Sequence, residues 1–77
     1  MTYTEILREV YAAIRYTNDA AERGDVKRNH VNYGTLLAYG RILNAMGHKA
    51  DLNNAWENES GCLVIARARV DGEELAI

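Results

Sequence analysis

The sequence offers few side chains that could act as a nucleophile with an adjacent base. Cys62 is the only cysteine, and the two histidines, His30 and His48, fall outside any nucleophile motif. A catalytic cysteine needs a base and an electropositive setting that lower the pKa of its thiol. We therefore interpret Cys62 as a small buried apolar residue, His48 as a structural or solvated group, and His30 as a solvent-facing side chain.

Acidic residues occur in neighbouring pairs, an arrangement that acid–base catalysis could use. The pairs are Glu5/Glu9, Glu57/Glu59 and Glu73/Glu74. No pattern places one of them in an apolar pocket, where burial would raise a carboxyl pKa enough for acid catalysis. A single cysteine excludes an intrachain disulfide and a Cys-x-x-Cys zinc site, and no Walker or dinucleotide-binding glycine loop is present. The sequence predicts no enzyme activity, no metal and no cofactor.

Basic residues form two small groups that could contact phosphates. Arg23, Lys27 and Arg28 are close in sequence, and Arg67 and Arg69 are two residues apart on a predicted strand. Sheets that bind RNA stack bases on aromatic side chains, whereas all five tyrosines fall in predicted helices. The net charge of −2 is also of the wrong sign for non-specific DNA binding. Nucleic-acid binding at either group is therefore the alternative to the leading expectation.

Length and composition limit the chain to one small domain, residues 1–77. Of these residues 48% are hydrophobic and none is proline. A chain of this size buries only about 60% of its unfolded surface, so dimerisation would add stability directly. The N-terminus has neither the features of a signal peptide nor a long apolar span, and a single thiol is typical of reducing compartments. We expect a cytoplasmic protein without a membrane segment.

The first half of the chain is patterned as two helices of similar length. Thr2 and Glu5 form a capping-box pattern, after which apolar residues recur at spacings of three and four. Gly24 is typical of the residue that follows a helix C-terminus. The sequence predicts helices over about residues 3–23 and 26–46, joined by a turn so short that the helices must be antiparallel.

Small residues in the second helix predict a close contact. Gly34, Ala38 and Ala45 are spaced by four and seven residues, which places them on one side of the helix. Such a line lets another backbone approach closely, so we expect a helix–helix contact there. Gly34 costs about 1 kcal/mol relative to alanine inside a helix, and a break at Gly34 is the alternative.

The last third of the chain is patterned as an antiparallel sheet. Asp71-Gly72 is typical of a two-residue type I′ turn, which sets Arg69 opposite Glu74 as a pair of opposite charges. One face of this hairpin is then apolar and comprises Ala66, Ala68, Val70, Leu75 and Ile77. Strands are predicted at about residues 52–57, 62–70 and 73–77. The fold class is α+β: a long antiparallel αα-hairpin followed by a small β-meander of two or three strands packed on it (ααβββ).

The face of the sheet that carries Trp56 depends on the loop between the first two strands. A three-residue loop places Trp56 on the face of Val64 and Ala66. A loop of two or four residues places it on the opposite face, with Leu63 and Ile65, because a shift of one residue turns every side chain over. We favour the three-residue loop, since it would bury the only tryptophan.

Leu63 and Ile65 point away from the alanine-rich face of the hairpin. If the helices cover only that face, both side chains are exposed in a monomer, which predicts contact with a partner or a second subunit. The alternative is that the helices wrap around an edge of the sheet and shield them. The predicted interface residues are Leu63, Ile65, Arg67, Trp56, Tyr11 and Tyr16.

These patterns favour a small interaction or regulatory protein over an enzyme. We expect it to bind a protein partner and to form a homodimer, through the sheet face of Leu63 and Ile65 or the tyrosine-rich helix face. Small proline-free domains without a catalytic set are common among phage and mobile-element proteins that inhibit host machinery, so an inhibitor of this kind is one expectation. No family motif is recognisable.

Overall fold

Two helices precede a three-stranded antiparallel sheet in the computed structural model, which describes residues 1–77. The elements are α1 (Tyr3–Glu22), α2 (Val26–Ala45), β1 (Ala50–Glu57), β2 (Leu63–Val70) and β3 (Glu73–Glu74). The strands lie in the order β1-β2-β3. This architecture confirms the predicted α+β class and the ααβββ order. α2 runs through Gly34 without interruption, so the alternative of a break there is wrong.

Local signals determine where the helices begin and end. At the start of α1 the Thr2 N–H donates to the Glu5 carboxylate (2.9 Å) and the Glu5 N–H donates to the Thr2 hydroxyl (3.2 Å). The Thr2 N–H, and then the Thr2 side chain, favour the charged carboxylate and hold the pKa of Glu5 below its usual value. Asp25 caps α2 by accepting from the Arg28 N–H (3.1 Å). Gly24 joins the helices in the left-handed conformation, with φ 69°.

The core lies between the helices and the face of the sheet that they cover. α1 approaches β2 and α2 approaches β1. The helices contribute the buried side chains Ile6, Val10, Ala13, Ile14, Leu36 and Leu43. The strands contribute Leu52, Ile65, Ala68 and Val70. Gly40 is buried against Leu52, and a Cβ at that position would lie 3.4 Å from Leu52 Cδ1, at the close limit of van der Waals contact.

The line of small residues in α2 lies at the surface of the molecule. Gly34, Ala38 and Ala45 are all exposed, and a Cβ added at Gly34 would meet no atom within 4 Å. The helix–helix contact predicted for this line is not made within the chain. α1 packs instead on the opposite side of α2, where Leu36 and Leu43 are buried.

The β2–β3 hairpin has the predicted register but a shorter second strand. Arg69 lies opposite Glu74, as the turn sequence predicts. Asp71 and Gly72 both have positive φ, at 54° and 83°, which is the type I′ geometry. β3 ends at Glu74, so the strand predicted to continue to Ile77 stops early and Ile77 is exposed.

Irregular pairing between β1 and β2 changes which side chains face the core. The register shifts on both sides of Asn54. Ile65 and Ala68 are both buried although they are three residues apart, whereas Ala66 between them is exposed. The predicted inward position of Ala66 is wrong, because a β-bulge adds one residue and reverses the alternation of side chains along the strand.

Trp56 occupies the predicted face of the sheet, but that face is open to solvent. Trp56 lies opposite Val64, and the Asn58 N–H donates to the Cys62 carbonyl (2.8 Å), which closes a three-residue loop. The predicted loop is therefore confirmed. Trp56 is nonetheless 55% exposed, because the helices cover the other face. The expectation that this register would bury the tryptophan is wrong.

Candidate functional site

Leu63 and Ile65, on which the predicted interface depends, lie against the helices. Ile65 is 3% exposed and Leu63 is half-buried. Asn29 Nδ2 donates to the Leu63 carbonyl (2.8 Å), and the Leu63 N–H donates to Asn29 Oδ1 (2.7 Å). Asn18 makes the same pair of bonds with Ile65, at 3.3 and 2.8 Å. The predicted exposure of both residues is wrong, because the bulge places Ile65 on the face that the helices cover. Asn18 and Asn29 also bring both helices into contact with the edge of β2.

The two asparagines replace a neighbouring strand along the first half of β2. We call Asn18, Asn29 and the two β2 residues that they bond the asparagine clasp. A sheet edge carries N–H and C=O groups that need partners once they leave water. β3 supplies partners only near the other end of β2, where the Leu75 N–H donates to the Ala68 carbonyl (2.8 Å). The clasp supplies them where β3 does not reach.

The loop between β1 and β2 is fixed to the turn between the helices. Asn58 Oδ1 accepts from the Cys62 N–H (3.0 Å), and Asn58 Nδ2 donates to the Ala21 carbonyl (3.4 Å). His30 is exposed, as the sequence predicts, and its Nε2 also lies 3.0 Å from the Gly61 carbonyl. Cys62 is completely buried, which confirms its interpretation as a small core residue.

His48 and Asp71 join the end of α2 to the β2–β3 turn. His48 Nδ1 lies 2.7 Å from Asp71 Oδ2, and the His48 ring lies against Tyr3 with centroids 4.2 Å apart. Asp71 Oδ1 also accepts from the Lys49 N–H (2.7 Å). The bond from Lys49, together with His48, holds the pKa of Asp71 below its usual value. These contacts give His48 a structural role, and no group of three or more His, Cys, Asp or Glu side chains is placed to hold a metal ion.

Arg67 lies on the outer side of the sheet and is paired. Its Nε donates to Glu74 Oε1 (2.7 Å), its terminal nitrogen contacts the same oxygen, and Arg69 lies 3.5 Å from that oxygen. The contact with Arg67, reinforced by Arg69, holds the pKa of Glu74 below its usual value. Two arginines therefore share one carboxylate, which leaves the sheet with less free positive charge than the sequence suggests.

The other predicted interface residues lie apart from one another. Trp56 borders a shallow cavity that is also lined by Val64 and by Asn18, Ala21 and Glu22 of α1. Tyr11 is half-buried and borders a different cavity, beside the C-terminal Ile77. Tyr16 is exposed near the turn between the helices. The structure does not bring the six predicted residues together into one surface.

α2 has a second apolar side, which faces solvent. Val31 is 60% exposed, Ile42 is 41% exposed, and Met46 directly after the helix is 43% exposed. Since successive residues turn by about 100° around a helix, these side chains project away from the buried Leu36 and Leu43. We call this surface the outer face of α2, and it comprises Val31, Gly34, Thr35, Ala38, Ile42, Ala45 and Met46.

All charged side chains of α2 are positive. Lys27 and Arg28 lie at the N-terminal end of the outer face, Arg41 lies at its rim, and the helix contains no Asp or Glu. None of these three cations takes part in a salt bridge. Of the nine Lys/Arg in the chain, three on α2 leave six elsewhere against all eleven Asp/Glu. α2 is thus a positive segment of a negatively charged protein.

A cavity of about 430 Å³ lies next to the N-terminal end of the outer face. Its lining residues are Tyr16, Asp19, Arg23, Arg28 and Asn32. We call it the tip cavity, because it lies at the turn between the helices. An adjoining depression shares Arg28 and Asn32 with it and also includes Lys27 and Val31. The tip cavity and the outer face of α2 therefore form one continuous surface.

The apolar side chains of the outer face of α2 were not predicted from the sequence, because residue type alone does not distinguish two apolar sides of one helix. The signal that was available is the distribution of apolar residues around the helix. In α2 they occur on all sides, a pattern typical of a helix that is covered all around, whereas the rest of this chain covers only one side.

Comparison with known proteins gives no assignment. No protein-family model matches the chain, and no curated protein or solved structure shows significant similarity to it. Neither helix combines the length and the apolar content that crossing a membrane requires.

Proposed function

We propose that this protein is a small non-enzymatic interaction module that binds a protein partner through the outer face of α2. One observation supports the proposal above others: α2 carries apolar side chains on two opposite sides, and the rest of the chain covers only one of them. Contiguous exposed apolar surface is typical of association sites. Val31, Ala38 and Ile42 follow one another at spacings of seven and four, the spacing at which helices present side chains to a partner.

A regulatory role without catalysis is compatible with such a surface. A protein that inhibits host machinery by occupying the surface of its target needs a binding face and no reactive group. The homodimer expected from exposed Leu63 and Ile65 loses that basis, because Ile65 is buried in the core and Leu63 is half-buried. Self-association through the outer face of α2 is a separate question, and a measurement of the protein's mass in solution answers it directly.

Photo-crosslinking at the centre of the outer face tests the proposal. Thr35 is exposed on that face, and Thr4 is an exposed residue of the same type on α1. With a photo-reactive amino acid at either position in cells that encode the protein, we expect a discrete protein adduct from position 35 and none from position 4. Absence of an adduct from position 35, or equal adducts from both positions, would contradict the proposal.

Substitutions on the outer face provide the matched controls. Val31→Glu combined with Ile42→Glu should remove the adduct, because it places charge on the apolar stripe. Both side chains are exposed, so each change should alter the free energy of unfolding by about 0.5 kcal/mol or less. Trp56→Ala removes an exposed apolar side chain elsewhere and should leave the adduct intact.

Nucleic-acid binding at the tip cavity is the second candidate. Arg23, Lys27 and Arg28 take part in no salt bridge, whereas Arg67 and Arg69 share a single carboxylate. The tip is therefore the better phosphate site of the two that the sequence offers. Its test is binding of a single-stranded oligonucleotide that weakens steeply with salt and with Arg23→Glu. No binding at about 50 mM salt would remove this candidate.

A further inference from the structure

We infer that the partner segment on the outer face of α2 is an amphipathic helix with acidic residues beside its apolar side. The inference rests on the proposed function, since it names the chemistry of the partner at that same surface. Three observations support the inference. They are the shape of the outer face, the sign of the charges beside it, and the poor fit between the outer faces of two copies of the chain.

The shape of the outer face is suited to a helix. Val31 and Ile42 are eleven positions apart, which corresponds to about 16 Å along the helix axis. Between them lie the small residues Gly34 and Ala38, and a Cβ at Gly34 would meet nothing within 4 Å. Small residues flanked by larger ones form a shallow groove, and the side-chain ridge of a second helix fits such a groove.

The charges beside the groove favour acidic groups on the partner. Lys27 and Arg28 lie at one end and Arg41 lies thirteen residues after Arg28, or about 20 Å along the axis. Arg41 borders a shallow cavity that contains no Asp or Glu. Opposite charges at the rim of an interface speed association, and like charges oppose it. A partner helix with carboxylates about three to four turns apart would meet both cationic positions.

A second copy of the chain is a poorer occupant. In a two-fold symmetric contact the same patch meets itself. Antiparallel outer faces centred on Ala38 bring the end of α2 that carries Lys27 and Arg28 toward the C-terminal end of the other copy's α2. Parallel outer faces bring Arg41 next to its own copy. Neither arrangement places a carboxylate of one α2 opposite the cations of the other, because α2 contains no Asp or Glu.

Lipid and nucleic acid match this face less well than an acidic helix. The outer face contains no tryptophan, tyrosine or phenylalanine, the residues that anchor interfacial helices to a bilayer. Its centre, from Val31 to Ala45, is apolar except for Thr35, whereas phosphate backbones are bound by Lys, Arg and polar groups. An apolar centre with cationic ends therefore favours a protein helix of complementary pattern.

Two synthetic peptides test the inference. The first is a helix of about 20 residues with leucine and alanine on one side and glutamates flanking them. The second carries lysine at each glutamate position. Fluorescence anisotropy at about 50 mM salt should show that the glutamate peptide binds at least about tenfold more tightly than the lysine peptide. The combined change Arg28→Glu and Arg41→Glu should reverse this preference.

The outcomes separate the inference from the proposed function. Equal binding of the two peptides, or binding of neither, overturns the acidic helix, and the Thr35 adduct then decides independently whether the outer face binds a protein. Tighter binding of anionic vesicles or duplex DNA, or a dimer mass that Ile42→Glu abolishes, also overturns it. If Val31→Glu with Ile42→Glu leaves glutamate-peptide binding unchanged, the peptide binds elsewhere and the proposed surface itself is wrong.

Discussion

Asn29 is bonded through its side-chain amide to both backbone groups of Leu63. Asn29 Nδ2 donates to the Leu63 carbonyl at 2.8 Å, and the Leu63 N–H donates to Asn29 Oδ1 at 2.7 Å. A carboxamide has the same donor and acceptor as a peptide group, so this side chain takes the place of a residue on an adjacent strand. The amide also donates to the Thr17 carbonyl (2.9 Å) and is completely buried. One side chain therefore joins α1, α2 and β2.

Asn29→Ala should lower the free energy of unfolding by about 3 kcal/mol. The change leaves the N–H and C=O of Leu63 without their partner, and an unbonded buried polar group costs about 1–3 kcal/mol. Chemical denaturation measures the loss. Asn32→Ala is the control, since Asn32 lies on the same helix but borders the tip cavity and should change stability by about 0.5 kcal/mol or less. Similar losses of unfolding free energy in the two variants would show that the loss does not come from breaking the asparagine clasp.

Asn18→Ala should open one part of the clasp without the other. The Ile65 N–H donates to Asn18 Oδ1 (2.8 Å) and loses that partner, whereas the Leu63 N–H keeps its bond to Asn29. We expect hydrogen exchange of the Ile65 amide to accelerate by at least about tenfold, since local opening sets the exchange rate. Exchange at Leu63 should change much less. Equal acceleration at both amides would show instead that the clasp opens as a unit.

Asp71 should make stability depend on pH in the acid range. Its pKa is held below the usual value of 3.8, first by the Lys49 N–H and then by His48. A carboxylate with a lowered pKa in the folded state stabilises the fold above its unfolded pKa, and that contribution disappears as pH falls through the folded pKa. Asp71→Asn keeps a residue that tolerates the left-handed turn. The stability difference between wild type and variant, measured by urea denaturation, should be larger at about pH 6 than at about pH 2.5.

Glu5 and Glu74 also have lowered pKa values, so the stability of both the wild type and the Asp71→Asn variant should fall below about pH 4. The comparison at two pH values isolates Asp71, because those carboxylates are present in both proteins. A difference that is equal at both pH values would contradict the role assigned to Asp71.

Gly34→Ala should raise the free energy of unfolding by about 0.5–1 kcal/mol, because glycine in a helix interior leaves more conformational freedom to the unfolded chain. The added Cβ would meet nothing within 4 Å. Gly40→Ala is the matched comparison on the same helix, and its Cβ would lie 3.4 Å from Leu52 Cδ1. We expect it to gain nothing or to lose stability. Thermal unfolding of both variants distinguishes them, and a gain at Gly40 equal to that at Gly34 would contradict the packing described for α2.

Features encoded by adjacent residues could be predicted from the sequence. The capping box of Thr2 and Glu5, the turn at Gly24 and the hairpin at Asp71-Gly72 each depend on a few neighbouring residues. These local signals were sufficient to predict the α+β class, the order of the elements and the register of β2 with β3.

Features that depend on distant residues could not be predicted. The exposure of Leu63 and Ile65 was inferred from strand alternation, but Asn18 and Ile65 are 47 positions apart in the chain. An asparagine within a helical pattern gives no sign that it will bond a strand. The bulge that buries Ile65 and exposes Ala66 also follows from packing, and the outer face of α2 became evident only once the other side of the helix was seen to face the core.

The separation of the clasp residues along the chain has a consequence for folding during synthesis. Both helices are translated before the strand whose edge they bond, since Asn29 precedes Leu63 by 34 positions. Until β2 has been translated, the helical hairpin lacks the Leu63 carbonyl for Asn29, and it also lacks Ile65, Ala68 and Val70 from its core. A nascent chain that ends before Leu63 is therefore expected to remain largely unfolded, so that the domain completes its fold late in translation.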